Sequence, residues 1–189
     1  MNWEWVAWGV LAVVLVAAAV FDLRRGTVYN WLTYPAIAAG LALGALEGAA
    51  ADGAMDGLGN HALGLGAGFG ILFLAYLFGG MGGGDVKLMA AVGALVGWPG
   101  VLGAVLYSFL VGAAVGLVMV IWRGQVRVAL RRLWRAVRIL PLPGATLDDA
   151  AAVATVRVPF GFAVCVGTLW CLAEEITGGS LWDGVARLF

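Results

Sequence analysis

Apolar residues dominate this chain in long runs separated by short polar breaks, and neither the two-residue alternation of strands nor the one-sided stripe of a soluble helix prevails. Six stretches reach or approach the roughly 20 apolar residues that a helix needs to cross a bilayer. They lie at about 3–21, 31–46, 57–79, 85–98, 100–122 and 158–176. A seventh element has a different pattern. Over 124–140, Val126, Leu130, Leu133, Trp134 and Val137 recur at helical spacing, while Arg127, Arg131, Arg132, Arg135 and Arg138 fill other faces. That is the signature of an amphipathic helix lying in the headgroup plane with its arginines toward anionic lipid. The expected fold is all-α: a polytopic membrane protein of six transmembrane helices plus one cytoplasmic interfacial helix, forming a single membrane-embedded domain over 1–189.

Composition agrees with the pattern. Of 189 residues, 63% are hydrophobic and 12% charged, where a soluble domain carries about 25% charged residues. Mean hydropathy is +0.99. Trp3, Trp5, Trp31, Trp98 and Trp122 stand at segment ends, as interfacial anchors do. The first segment has neither a cationic start nor a small-residue cleavage site, so it reads as a retained helix.

Net charge is zero, yet its distribution is uneven. Arg24, Arg25 and Lys87 lie in or beside two of the breaks, and seven arginines fall between Arg123 and Arg157. The intervening breaks hold Glu47, Asp52 and Asp56, or the Trp98-Pro99-Gly100 turn, and no basic residue. The positive-inside rule puts the basic breaks in the cytoplasm and both termini outside.

Against this background two carboxylates call for a reason. Asp22 ends the first apolar run and Asp85 follows Gly82-Gly83-Gly84. An ionisable group at membrane depth is costly and marks chemistry by default. The topology puts both on the cytoplasmic side. The fourth segment, 14 residues from Asp85 to Trp98, makes only about 21 Å of helix, so Asp85 is expected below the membrane surface in a hydrated recess. Plainer readings stand beside this one: Asp85 as an ordinary helix cap, Asp22 as a chain exit balanced by Arg24 and Arg25. Asp85 starts a helix, where the macrodipole favours an anion, and Asp22 ends one. The pair would then divide into Asp85 as base and Asp22 as initial acid. Lys87 would bias Asp85 further toward the anion or reach for headgroups. His61, the single histidine, falls near the outer side and is expected to pack or sit at the surface. Cys165 and Cys171, six residues apart on one helix, are expected to be small apolar residues that do not face each other.

Three words in this chain resemble those of the type IV prepilin peptidases. Phe21-Asp22-Leu23-Arg24-Arg25-Gly26-Thr27-Val28-Tyr29-Asn30-Trp31-Leu32-Thr33 resembles the first catalytic motif, with Val28-Tyr29-Asn30 where the family usually has Ile-Pro-Asn. Gly82-Gly83-Gly84-Asp85-Val86-Lys87-Leu88-Met89 resembles the second, and Val158-Pro159-Phe160-Gly161-Phe162-Ala163 the segment opening the last helix. The chain resembles the short, peptidase-only branch, since the paired C-x-x-C motifs of the methylating members are missing from it.

The resemblance implies an aspartyl endopeptidase of the bacterial inner membrane. Asp22 and Asp85 would be its catalytic pair. Asn30, Thr33, Gly82, Gly84, Lys87, Pro159 and Gly161 would bind substrate or shape the site, or else merely cap and pack. It implies no metal or cofactor. The substrate would be a prepilin or pilin-like precursor with a short basic leader, cut at the cytoplasmic face. Lipids and the pilus assembly machinery would be partners, and nucleic acid would not. Two other functions fit two intramembrane carboxylates: a protease of the presenilin or signal-peptide-peptidase kind, and a small proton-coupled transporter. Against the first, Phe21-Asp22 replaces Tyr-Asp, and Pro159-Phe160-Gly161 replaces Pro-Ala-Leu. Against the second, no related pair of broken helices is evident.

Overall fold

A computed structural model describes residues 3–51, 53–77, 81–122, 124 and 159–177. Six helices account for nearly all of these: α1 (Trp3–Arg25), α2 (Asn30–Ala50), α3 (Ala54–Leu77), α4 (Gly83–Val96), α5 (Gly100–Trp122) and α6 (Phe160–Thr177). The interfacial helix expected at 124–140 lies outside the described residues. A helix is present at each of the six expected segments, with ends displaced by at most four residues, but the fourth is too short to count as a membrane span. The displacement that matters is in α1, which runs past Asp22 to Arg25 because Leu23, Arg24 and Arg25 are helix formers and nothing before Gly26 breaks the run. Gly26, at φ 62°, ends the helix in the left-handed region, and its N–H donates to the Asp22 carbonyl at 2.7 Å.

The helices are apolar on both faces. In α1, Ala7, Leu11, Val14, Leu15 and Ala18 form the buried stripe, while Val13, Val16 and Val20 point outward. In α5, Leu117, Val118 and Ile121 do the same. Such a surface has no counterpart in water-facing helices and suits lipid. Five of the six helices are long and apolar enough to cross a membrane. The protein is an all-helical, polytopic membrane protein.

The sixth, α4, is the hub. Every residue from Val86 to Leu95 except Lys87 is buried, and α4 packs against each of the other five described helices. Small residues permit this closeness. A methyl group added at Gly93 would overlap the Gly64 carbonyl of α3, and one added at Gly40 would overlap the Ala94 carbonyl. Backbones thus meet directly, the usual way helices associate where lipid removes the hydrophobic drive.

Chain direction alternates through the bundle, so the C-terminal end of α1 and the N-terminal ends of α2, α4 and α6 gather at one end. Asp22 and Asp85 are both there. His61 is at the other, and it is buried. Its Nδ1–H donates to the Ala94 carbonyl at 2.7 Å, in the last turn of α4, and its Nε2 lies 3.5 Å from Glu47. That gives His61 the packing role expected of it. Cys165 is buried and Cys171 half-buried, both as free thiols.

Candidate active site

Each aspartate is held by the start of a helix. Asp85 is in the first turn of α4, where its Oδ2 accepts from the Gly82 N–H at 3.3 Å, while its own N–H donates to the Gly82 carbonyl at 3.0 Å. Asp22 belongs to the last turn of α1, yet its carboxylate meets the first turn of α6: Oδ2 accepts from the Phe162 N–H at 3.3 Å. A Cβ at Gly161 would stand 3.0 Å from both Cβ and Oδ2 of Asp22.

The Pro159-Phe160-Gly161 word has a local logic. Proline, lacking an N–H, suits a helix start, and its carbonyl accepts from Ala163. The Phe160 ring packs on α5, against Gly112 and 5.7 Å from the Phe109 centroid. Gly161, between these anchors, leaves room for Asp22.

This geometry removes the ground for telling the two carboxylates apart. The expectation of Asp22 as the acid rested on its place at the end of α1, where a macrodipole disfavours an anion. The structure sets the same carboxylate against the start of α6, where the dipole is reversed. Both carboxylates therefore accept a main-chain N–H at a helix start.

The turn between α1 and α2 joins the two helix systems. Phe21 stands edge-on to Tyr29 and Trp31, at centroid distances of 5.3 and 5.8 Å, which folds the chain back after Gly26. Arg25 donates to the Tyr29 hydroxyl at 2.9 Å. That bond, reinforced by one from Thr27, draws the phenol below its ordinary pKa. Tyr29 thus holds the turn through its ring and hydroxyl. Val28 then lies against α4: a Cβ at Gly84 would be 3.2 Å from the Val28 Cβ.

Of the remaining site residues, Asn30 opens α2 and accepts from the Lys87 ammonium at 2.9 Å. Lys87 therefore turns to α2. Thr33 is buried and donates to the Asn30 carbonyl at 3.4 Å, a packing role. Gly82 caps Asp85. Sequence reasoning missed three contributors: the Phe162 amide, the Val28 backbone and the Tyr34 ring, whose centroid is 5.6 Å from the Lys87 Nζ. A main-chain N–H has no residue signature, and an aromatic four residues beyond Asn30 passes for an interfacial anchor. Among the described residues no group of three or more His, Cys, Asp or Glu side chains is placed to hold a metal.

Both aspartates and the glycine loop fall within residues 9–117, the stretch that matches the model of the type IV leader peptidase family. The chain belongs to the type IV leader peptidase family. It is 37% identical over 130 residues to a prepilin leader peptidase/N-methyltransferase of Aeromonas hydrophila, covering 62% of this chain and 43% of that protein. The protein of the same name from Burkholderia pseudomallei (strain K96243) is 38% identical over 130 residues, 64% of this chain and 39% of the relative. A third, from Xanthomonas campestris pv. campestris, is 36% identical over 137 residues, 67% and 44%. The chain thus spans about two fifths of the length of these relatives. No solved structure matches it. The leader peptidase match ends before Pro159 and Gly161, so the contact of Gly161 with Asp22 is this structure's own contribution.

Proposed function

We propose that the chain is an aspartic endopeptidase that removes the short basic leader of a type IV prepilin or pilin-like precursor at the cytoplasmic face of the bacterial inner membrane. The observation that carries the reading is the gathering of Asp22 and Asp85 at one end of the bundle, within a family named for leader cleavage.

Two carboxylates at one end of the bundle can divide the roles of base and acid. One takes a proton from water as it attacks the scissile carbonyl. The other donates to the carbonyl oxygen and then helps the amine depart. The Phe162 and Gly82 amides orient one oxygen of each. A peptide must enter extended, and the hydrogen-only surface at Gly82 suits a backbone approaching Asp85. The arginines near this end, Arg24 and Arg25, fit a cytoplasmic orientation.

Co-expression with candidate prepilins tests the reading. Cleavage is expected with the native chain and is lost in Asp22→Asn and in Asp85→Asn, both of which still insert in the membrane. Cleavage persisting in either single variant would sink the dyad, and ion transport without cleavage would favour the transporter.

A further inference from the structure

We infer that Lys87 is a positioning residue, one that clasps the Asp22-bearing hairpin onto the Asp85-bearing helix. The inference rests on the peptidase reading above. Lys87 lies two positions beyond Asp85, about 200° around the helix, so the two side chains leave α4 on nearly opposite sides. Lys87 spends its charge on α2. Its Nζ donates to the Asn30 Oδ1 at 2.9 Å and lies over the Tyr34 ring, 5.6 Å from the centroid. Asn30 and Tyr34 are one turn apart on α2, so the ammonium fits between them.

The position of Asn30 gives the contact its reach. It is the first residue of α2 and directly follows the turn that begins after Arg25, one turn beyond Asp22. The same turn presents Val28 to Gly84. The hairpin carrying Asp22 is therefore fastened to α4 at two points one helical turn apart, Gly84 and Lys87, on either side of Asp85. The two points differ in kind. The first is a close fit that any loosening of the turn relaxes. The second is a charge-assisted hydrogen bond with a defined direction.

The contact is made at an exposed position, where a lysine held between two partners gives up rotamer freedom. A positioning role also explains why Asn30 and Lys87 occur in two different sequence words 57 residues apart: each is half of one contact.

The test is a double-mutant cycle on the purified full chain in lipid, cutting a leader-bearing precursor. Lys87→Met and Asn30→Ala are each expected to lower kcat about tenfold or more, as small misplacements of reacting groups do, with KM changed less than about twofold. The double variant falls no further than the worse single one, because the two residues act through one bond. Lys87→Arg restores part of the loss. Additive losses, or a raised KM with unchanged kcat, would assign Lys87 to substrate binding and overturn the inference. A second readout needs no cleavage: with Cys165 and Cys171 replaced by alanine, the disulfide between Val28→Cys and Gly84→Cys forms several-fold more slowly when Lys87→Met is added. An unchanged rate overturns the clasp whether or not the chain is a peptidase. A native chain that cuts no precursor, with the disulfide slowed, leaves the clasp standing and removes the peptidase reading.

Discussion

Gly161 is the residue at which the site is most sensitive to a single methyl group. A Cβ there would be 3.0 Å from Asp22 Cβ and Oδ2, closer than carbon and oxygen rest together, and Asp22 is itself held by the Phe162 amide. Gly161→Ala is expected to push the carboxylate off that amide and lower leader cleavage by about tenfold or more, although alanine favours helix. Gly83→Ala is the control. Its Cβ would be 3.9 Å from the Tyr76 ring, an ordinary contact, and cleavage is expected to stay within about twofold of native while helix propensity improves. Rates on a precursor peptide check both. At this scale the sequence was readable where a side chain carries the function: Asp22, Asp85, Asn30, Lys87 and Gly161 are all in the words quoted above. It was unreadable where main chain carries it, as at the Phe162 amide and the Val28 backbone. It was also silent on the contact of Asp22 with α6, because the helix that orients this carboxylate begins 138 residues later in the chain.

Among the helices, α4 determines how well the bundle holds together. It is too short to cross a membrane alone, at 14 residues, and its position is fixed by the neighbours that bury it. Gly93 and Gly64 let α3 and α4 touch through backbone. Gly93→Leu should separate these helices and destabilise the fold by well over the ~1–3 kcal/mol of ordinary overpacking, seen as a lower melting temperature in detergent. At its far end α4 is capped by His61, which occupies the Ala94 carbonyl. His61→Ala leaves that buried carbonyl unpaired and is expected to lower stability by about 1–3 kcal/mol, with the proposed chemistry at the opposite end retaining its kcat. A shortened fourth segment was legible from the distance between Asp85 and Trp98. Its central place was not, since a helix apolar all round reads alike whether lipid or protein surrounds it.

For the whole molecule, the order of the helices followed from hydropathy, because lipid forces each backbone to satisfy itself within a helix, while the count of six spans was one more than the five helices long enough to cross. The orientation expected from the arginines is open to a direct check. In a background without Cys165 and Cys171, Thr27→Cys, exposed in the α1–α2 turn, is expected to react with an impermeant thiol reagent only from the cytoplasmic side. Met55→Cys, at a position 77% exposed at the other end, is expected to react only from outside. The reverse pattern would turn the molecule over and take the aspartates away from a cytoplasmic leader.

The central claim is that Asp22 and Asp85 form one site, and the most direct measurement is their proximity. In the same cysteine-free background, Asp22→Cys and Asp85→Cys are combined and treated with the shortest bifunctional thiol reagent in native membranes. The Val28→Cys/Gly84→Cys pair serves as the positive control. The account predicts an intramolecular cross-link between positions 22 and 85, blocked by a bound leader peptide. A control pair that links while 22 and 85 never do would contradict it.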